Sequence, residues 1–389
     1  MRSVATALDE QALVTLLKEL GESARRFRFG VAPNPCVGAA VLAGTREVGR
    51  GFHRVFGEEH AEIAALAAAE GSGIPRSEWD VLVVTLEPCS STAKTPPCVD
   101  AILAAGIKTV IAGALDPDLR HRGRGLEALR DAGVEVILLE GIAGLEWVAP
   151  YFLDWCSHER LRRPRPWTIA KWAQTLSGHL SPPLPRSMDS VPDPRISGPE
   201  AHAEVQHLRS RVDAIMTGVG TILADDPLLT VRPPGRAAKA PMRVVLDSYL
   251  RTRPSGRMFT QEPGPEDSAG QVHVLSFAGA DGARARALQA AGAEIHGLHG
   301  SARDSLDLRD VLEWLWEQGA RRVLLETGPT LLQAMLEAGF VDQVRIYTSD
   351  VRGGEGNSLA GWLHAAKLRE RADSSAGDDA VIDAFLPPG

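Results

Sequence analysis

Three metal-ligating side chains and one carboxylate fall at a chemically useful spacing. His60-Ala61-Glu62 is followed by Pro88-Cys89 and then by Cys98. One imidazole and two thiolates supply three ligands to a single Zn²⁺ per chain and leave the fourth position for water. Zinc lowers the pKa of such a water to about 7. A carboxylate two residues from the histidine, Glu62, can then move protons without binding metal. His60 and Glu62 fall where a helix is expected to begin, and Cys98 precedes the next one. Helix N-termini favour thiolate over thiol, which suits metal binding. A lone His-x-Glu says little. His202-Ala203-Glu204 is a second copy, no cysteine follows it, and it reads as a helix face.

The order H-x-E, then P-C, is the signature of zinc deaminases. Their common form closes with C-x-x-C, whereas eight residues separate Cys89 from Cys98 here. The stretch from Thr85 to Cys98 resembles the T-L-E-P-C-S-H-x-G-K/R-T-P-P-C segment of the bifunctional riboflavin-biosynthesis deaminase/reductase family. Pro33-Asn34-Pro35 with Val37-Gly38, Gly51-Phe52-His53, and Asp116-Pro117 match as well. The resemblance implies that Asn34, His53, Lys94 and Thr95 line the deaminase substrate pocket. Lys94 is a suitable point charge for a substrate phosphate. Ser91 stands where the family has histidine.

The resemblance extends through the second half. Pro166 to Gly178 resembles the family's P-x-V-x-L-K-x-A-x-S-L-D-G strand. Asp213 to Arg232 resembles its G-V-G-T-V-x-A-D-D-P-x-L-T-x-R block. Arg243 to Arg251 and Leu325 to Leu331 match two further segments. Together they imply an NADPH-dependent reductase. By position, Lys171, Arg209, Asp225, Leu229, Arg232 and Glu326 would hold the phosphoribosylamino-pyrimidine, and Ala173, Thr221, Ser248 and the Gly328-Pro329-Thr330 turn would hold NADPH. From the residues themselves, the strand over 323–326 feeds a glycine turn and then a helix, a place where backbone N–H groups can cradle phosphate. Asp225, Asp226 and Arg232, taken alone, read as a solvated, proline-bounded loop. Ser177 replaces the family's aspartate, His179 a basic residue, Arg195 a tryptophan and His202 an arginine. Ser177 and Arg195 motivate a second reading, in which the deaminase works and the reductase-like half is inactive or structural. A third, a nucleoside or tRNA deaminase with an appended binding domain, is opposed by the net charge, the long cysteine spacing and the second-half matches.

The elements that must position these residues alternate between strand and helix, which argues an α/β architecture. Helices are expected over 11–29, 61–69, 99–105 and 126–132, and strands over 37–42, 47–53, 81–86, 109–112 and 134–139. The second half restarts with a strand over 168–175, a proline-rich loop over 180–199 and a helix over 199–211. Strands over 214–217, 243–247, 272–277, 323–326 and 344–347 follow, with helices over 283–291, 307–318 and 330–338. Residues 369–389 read as a polar, partly disordered tail. The resemblance implies a cytidine-deaminase-like α/β/α sandwich over 1–156 and a dihydrofolate-reductase-like α/β domain over 167–389. The Arg- and Pro-rich 157–166 reads as the linker between them.

The 389 residues suit two or three domains, and 44% apolar with 24% charged residues is ordinary for a globular enzyme. Forty-two basic and fifty acidic side chains give a net charge of −8, with no global attraction for nucleic acid or an anionic membrane. Four cysteines (Cys36, Cys89, Cys98 and Cys156) are too few for a disulfide framework. No signal peptide and no membrane-length apolar run is found. The expectation is a cytoplasmic homo-oligomer acting on a small molecule. Its positive charge is concentrated at Lys94, Lys171, Arg209 and Arg232.

Overall fold

The computed structural model describes residues 9–91, 96–143, 145, 164–183, 196–235, 237, 239–300 and 305–387. The chain divides into two compact units, Met1–His158 and Glu159–Gly389. No helix among the described residues is long and apolar enough to cross a membrane.

The first unit is built on five strands: β1 (Gly38–Ala43), β2 (Arg46–Phe52), β3 (Val81–Val84), β4 (Thr109–Ala112) and β5 (Glu135–Leu138). Their order is β2-β1-β3-β4-β5. β1 runs antiparallel to both neighbours, and β3, β4 and β5 are parallel. The helices are α1 (Glu10–Arg25), the single turn α2 (Arg28–Val31), α3 (Ala61–Glu70), α4 (Cys98–Ala105) and α5 (Arg124–Asp131). One helix was expected over 11–29. Instead the chain leaves helical geometry at Phe27, whose ring packs on Phe52 of β2 at 5.9 Å.

The alanine-rich α3 can lie close on the sheet because β2 offers it glycine. A Cβ on Gly51 would sit 2.1 Å from the Ala65 nitrogen. Ala61, Ala65 and Ala69 are fully buried there, in one core with Ala39, Val41, Leu82, Val84, Ile102 and Val110. That close seat fixes the start of α3, where His60 and Glu62 stand.

The second unit contains β6 (Trp167–Gln174), β7 (His179–Ser181), α6 (Pro199–Arg209), β8 (Ala214–Gly218), α7 (Val219–Asp225), β9 (Met242–Leu246), the single turn α8 (Arg257–Thr260) and β10 (Val272–Phe277). It continues with α9 (Gly282–Ala290), β11 (Ala293–Leu298), α10 (Leu308–Glu317), β12 (Arg322–Leu325), α11 (Pro329–Glu337) and β13 (Gln343–Thr348). It ends with β14 (Glu355–Ser358), α12 (Ala360–Ala365), β15 (Arg369–Ala376) and β16 (Asp379–Phe385). Nine strands form one sheet in the order β11-β10-β9-β8-β12-β6-β13-β16-β15. The strands from β11 to β13 are parallel, and β16 and β15 add on antiparallel. β7 pairs with β14 apart from the main sheet.

Two expectations are corrected here. The polar tail is not disordered over 369–385: it is a hairpin whose second strand pairs with β13. Its Val381, Ala384 and Phe385 are buried, so both faces of its second strand are covered. Its buried Asp383 is answered by Arg345 at 2.8 Å. The Asp225–Asp226 segment is not simply a loop. Asp225 ends α7, and Asp226 caps it in the left-handed region at φ 42°. Its Oδ1 accepts the Arg257 N–H at 2.9 Å. Most of the linker, and 184–195 of the proline-rich loop including Arg195, lie outside the described residues.

Candidate active sites

In the first unit the structure brings His60, Cys89 and Cys98 together. His60 caps the start of α3, and Cys98 is the first residue of α4. Cys89 lies in the loop after β3. His60 Nδ1 is 3.5 Å from Cys89 Sγ and 3.3 Å from Cys98 Sγ. The three ligand atoms all lie within 4.8 Å of one another. The Cys98 N–H donates to Cys89 Sγ at 3.3 Å, so the Cys89 sulfur sits on the N-terminus of α4. The Cys98 sulfur, and after it His60, hold the Cys89 thiol down to about 4, while the same contact and burial push the Cys98 thiol up. Hydrogen bonding to Cys89 raises His60. One imidazole and two sulfurs are a donor set that fits zinc.

Glu62 lies in the first turn of α3 and is buried. Burial pushes its carboxyl above the usual range, and His60 offsets this only in part. A carboxyl in that state suits an acid and base acting near neutral pH.

Asn34 and His53 flank the cluster. Asn34 Nδ2 is 3.3 Å from His53 Nε2, and His53 Nδ1 is 2.9 Å from the Glu59 carbonyl oxygen. A carbonyl can only accept, so Nδ1 carries the proton, and Nε2 of the neutral ring accepts from Asn34. The His53 and His60 rings meet edge to face at 5.2 Å. Lys94 and Thr95 lie outside the described residues.

Glu87 is a site-building residue that chemistry-seeking inspection passes over. Its buried carboxylate accepts the N–H groups of Asp116 at 3.1 Å, Gly123 at 2.8 Å and Gly125 at 2.9 Å. It therefore ties the Pro88-Cys89 loop to the start of α5. A Cβ on Gly125 would sit 1.8 Å from the Pro88 carbonyl oxygen, so only glycine permits that approach. The available signal was an acid placed directly before Pro-Cys.

In the second unit, Lys171, Arg209 and Glu326 meet. Arg209 ends α6 and grips Glu326, just past β12, with Nε–Oε1 2.7 Å and Nη2–Oε2 3.0 Å. Its remaining arm donates to the Thr230 carbonyl at 2.8 Å. Burial works to raise Glu326, but Arg209, then Lys171 and His202, hold it below the usual range. Burial lowers Lys171, partly opposed by Glu326. Lys171 stands on β6 beside Tyr347, its Nζ 5.7 Å from the ring centre. Leu229 is buried with φ +52°, a strained setting for a leucine. Arg232 is exposed, and its backbone N–H donates to Gln206 Oε1 at 2.8 Å. Asp225 is also exposed, at the end of α7.

Next to this cluster two strand-to-helix turns are stitched together. The Gly328 N–H donates to Thr221 Oγ1 at 2.9 Å, and the Gly218 N–H donates to Thr327 Oγ1 at 3.2 Å. The Gly328 N–H is thus already engaged by Thr221, which bears on the expectation that this turn cradles a phosphate. The donors left for one are further into α11, which starts at Pro329 with no side-chain cap. A Cβ at Gly328 would meet nothing closer than Thr221 Oγ1 at 3.7 Å. An uncapped helix start fits a cofactor phosphate. Ala173 pairs with Tyr347 across β6 and β13, and the Ser248 carbonyl accepts the Phe277 N–H at 3.2 Å. At the departures, Ser177 Oγ accepts the Gly353 N–H at 3.0 Å, and His202 Nδ1 is 2.9 Å from the Gly198 carbonyl oxygen.

Comparison with known proteins matches both halves of the chain. Residues 10–114 match the cytidine and deoxycytidylate deaminase zinc-binding region, and residues 166–375 match the RibD C-terminal domain. The riboflavin biosynthesis protein RibD of Aquifex aeolicus is 32% identical over 357 residues, spanning 90% of this chain and 92% of the relative. That of Escherichia coli is 34% identical, over 85% and 87%. Among solved structures, the deaminase/reductase of Thermotoga maritima superposes with a TM-score of 0.61 at 27% identity, over 96% of this chain and 98% of the other. Acinetobacter baumannii RibD shares the fold at a TM-score of 0.66 and 24% identity, over 96% and 99%. With one family match on each half of the chain and full-length relatives above 30% identity, the chain belongs to the RibD family of bifunctional riboflavin-biosynthesis deaminase/reductases.

Proposed function

We propose that this chain carries out two consecutive steps of riboflavin biosynthesis. The first is hydrolytic deamination of 2,5-diamino-6-(5-phosphoribosylamino)pyrimidin-4(3H)-one. The second is reduction of the ribosyl group of the resulting uracil to ribityl. The observation that carries the reading is the convergence of His60, Cys89 and Cys98 within 4.8 Å, beside the buried Glu62, in a chain whose second half also matches the reductase.

In the deaminase site His60, Cys89 and Cys98 would hold the metal. Zinc, when bound, supplies the Lewis acidity that makes water a nucleophile near neutral pH. Glu62 takes a proton from the water that adds to the amino-bearing carbon. It returns that proton to the departing amine, so water is consumed and ammonia released. Asn34 and the fixed tautomer of His53 orient the pyrimidine.

In the reductase site NADPH, when bound, supplies the hydride that reduces the ribosyl C1. Lys171 and Arg209 offer positive charge to the phosphorylated substrate, and Glu326 holds Arg209 in a fixed geometry. Asp225, Leu229 and Arg232 close the substrate side. Thr221, Ser248, Ala173 and the Gly328-Pro329-Thr330 turn form the cofactor side. Such a site acts mainly by positioning its two partners.

The deaminase-only reading gains no support from the structure, since Lys171, Arg209 and Glu326 are assembled and Ser177 still holds its loop. The test is product analysis by mass spectrometry. With substrate alone, only the deaminated uracil should form; adding NADPH should convert it to the ribityl product. Unchanged substrate in the presence of zinc would overturn the reading.

A further inference from the structure

His273, Glu294 and His296 form a second convergent cluster, in the second unit, that neither reaction uses. His273 stands on β10 and the other two on β11, the edge strand of the nine-stranded sheet. The strands run parallel, with His273 opposite Glu294 and Leu275 opposite His296. Side chains alternate along a strand, so residues 273, 294 and 296 share one face. His273 Nδ1 lies 3.1 Å from His296 Nε2 and 3.4 Å from Glu294 Oε2, and His296 Nε2 lies 3.8 Å from the same oxygen.

We infer that these three residues are a binding site for a borderline divalent transition-metal ion such as Zn²⁺, separate from the deaminase centre. Two imidazoles and a carboxylate are a ligand set for such ions. Ligands held at 2.0–2.2 Å around a tetrahedral zinc stand roughly 3.3–3.6 Å apart, and the three separations bracket that range. The distances at the first cluster, 3.5 Å and 3.3 Å, are of the same size. Neither ring needs a large movement. Trp314 of α10 backs both, with ring centres 4.6 Å from His296 and 5.5 Å from His273. Packing of this kind pre-orients ligands. His273 is buried, while the Glu294 side chain is 57% exposed, which leaves a path for the ion from solvent. A bound ion would clamp the edge strand β11 to β10.

The test uses the full-length Cys89→Ser/Cys98→Ser variant, prepared metal-free, so that the deaminase centre does not contribute. Zn²⁺ is titrated into it calorimetrically. One equivalent should bind saturably in the micromolar range. Glu294→Gln, an isosteric change at an exposed position, should weaken binding at least about tenfold. His296→Ala should abolish it. Absence of saturable binding at about 100 µM Zn²⁺, roughly a hundredfold above a micromolar Kd, would overturn the inference. Undiminished binding in His296→Ala would do the same.

Discussion

Arg209 and Glu326 close a two-pronged ion pair, 2.7 Å and 3.0 Å, between the end of α6 and the end of β12. The same guanidinium reaches the Thr230 carbonyl. Three stretches far apart in sequence are thereby fixed around one positive charge. Replacing Arg209 with Ala leaves Glu326 buried without its partner, a loss of about 3–5 kcal/mol for such pairs. Urea unfolding of the variant should show the second unit destabilised. Arg209→Lys should recover only part of the loss, because an ammonium cannot grip a carboxylate with two parallel donors.

That pair also sets an acid limit. Glu326 is held below its ordinary value in the folded chain. A depressed carboxyl stabilises the fold fully above its unfolded pKa, near pH 4.3. The contribution fades as pH falls from there through the lowered folded value. Unfolding free energy measured from pH 6 downward should decline less steeply below pH 4.3 in Glu326→Gln than in the wild type.

Gly125→Ala is expected to damage the metal centre without touching a ligand. Its Cβ would meet the Pro88 carbonyl oxygen at 1.8 Å, a backbone atom that cannot turn aside. The loop carrying Cys89 must shift. Zinc content by atomic spectroscopy should fall well below one per deaminase centre, and reduction of supplied deaminated substrate should persist.

Glu62→Gln separates catalysis from binding at the same centre. The amide cannot relay the proton, so deamination should drop by about 10²–10⁴-fold with zinc retained. Loss of the metal instead would make Glu62 a ligand.

Gly328→Ala reads the cofactor side. Gly328 has φ −70°, which alanine adopts freely, and a Cβ there meets nothing within 3.7 Å. Stability should be unchanged. With the proposed cofactor seat at this turn, the KM for NADPH should rise, because the added methyl crowds it. An unchanged KM would place the cofactor elsewhere.

The zinc cluster was legible because its chemistry demands particular residue types at helix starts, and His60, Glu62 and Cys98 stand there. The central strands were legible as runs of Val, Leu and Ile, as in β3 and β12. The 369–385 hairpin was not. Its polar residues face outward or pair, and Asp383 finds Arg345 only once β13 is alongside. α7 was hidden by the double aspartate and Pro227 that end it. The His273–Glu294–His296 cluster carries no motif, since it exists only through the parallel register of β10 and β11. The Gly328 turn was found as a turn, yet the commitment of its N–H to Thr221 is a tertiary contact that no local spacing announces.

The most direct measurement is a coupled assay on the zinc-loaded chain. The diamino-pyrimidine phosphoribosyl substrate and NADPH are supplied together, and ammonia release is followed beside the nicotinamide absorbance. Both activities in one chain predict that ammonia appears and that NADPH is oxidised in equal amount after a lag. Ammonia release with a steady nicotinamide absorbance would contradict a working reductase and leave only the deaminase.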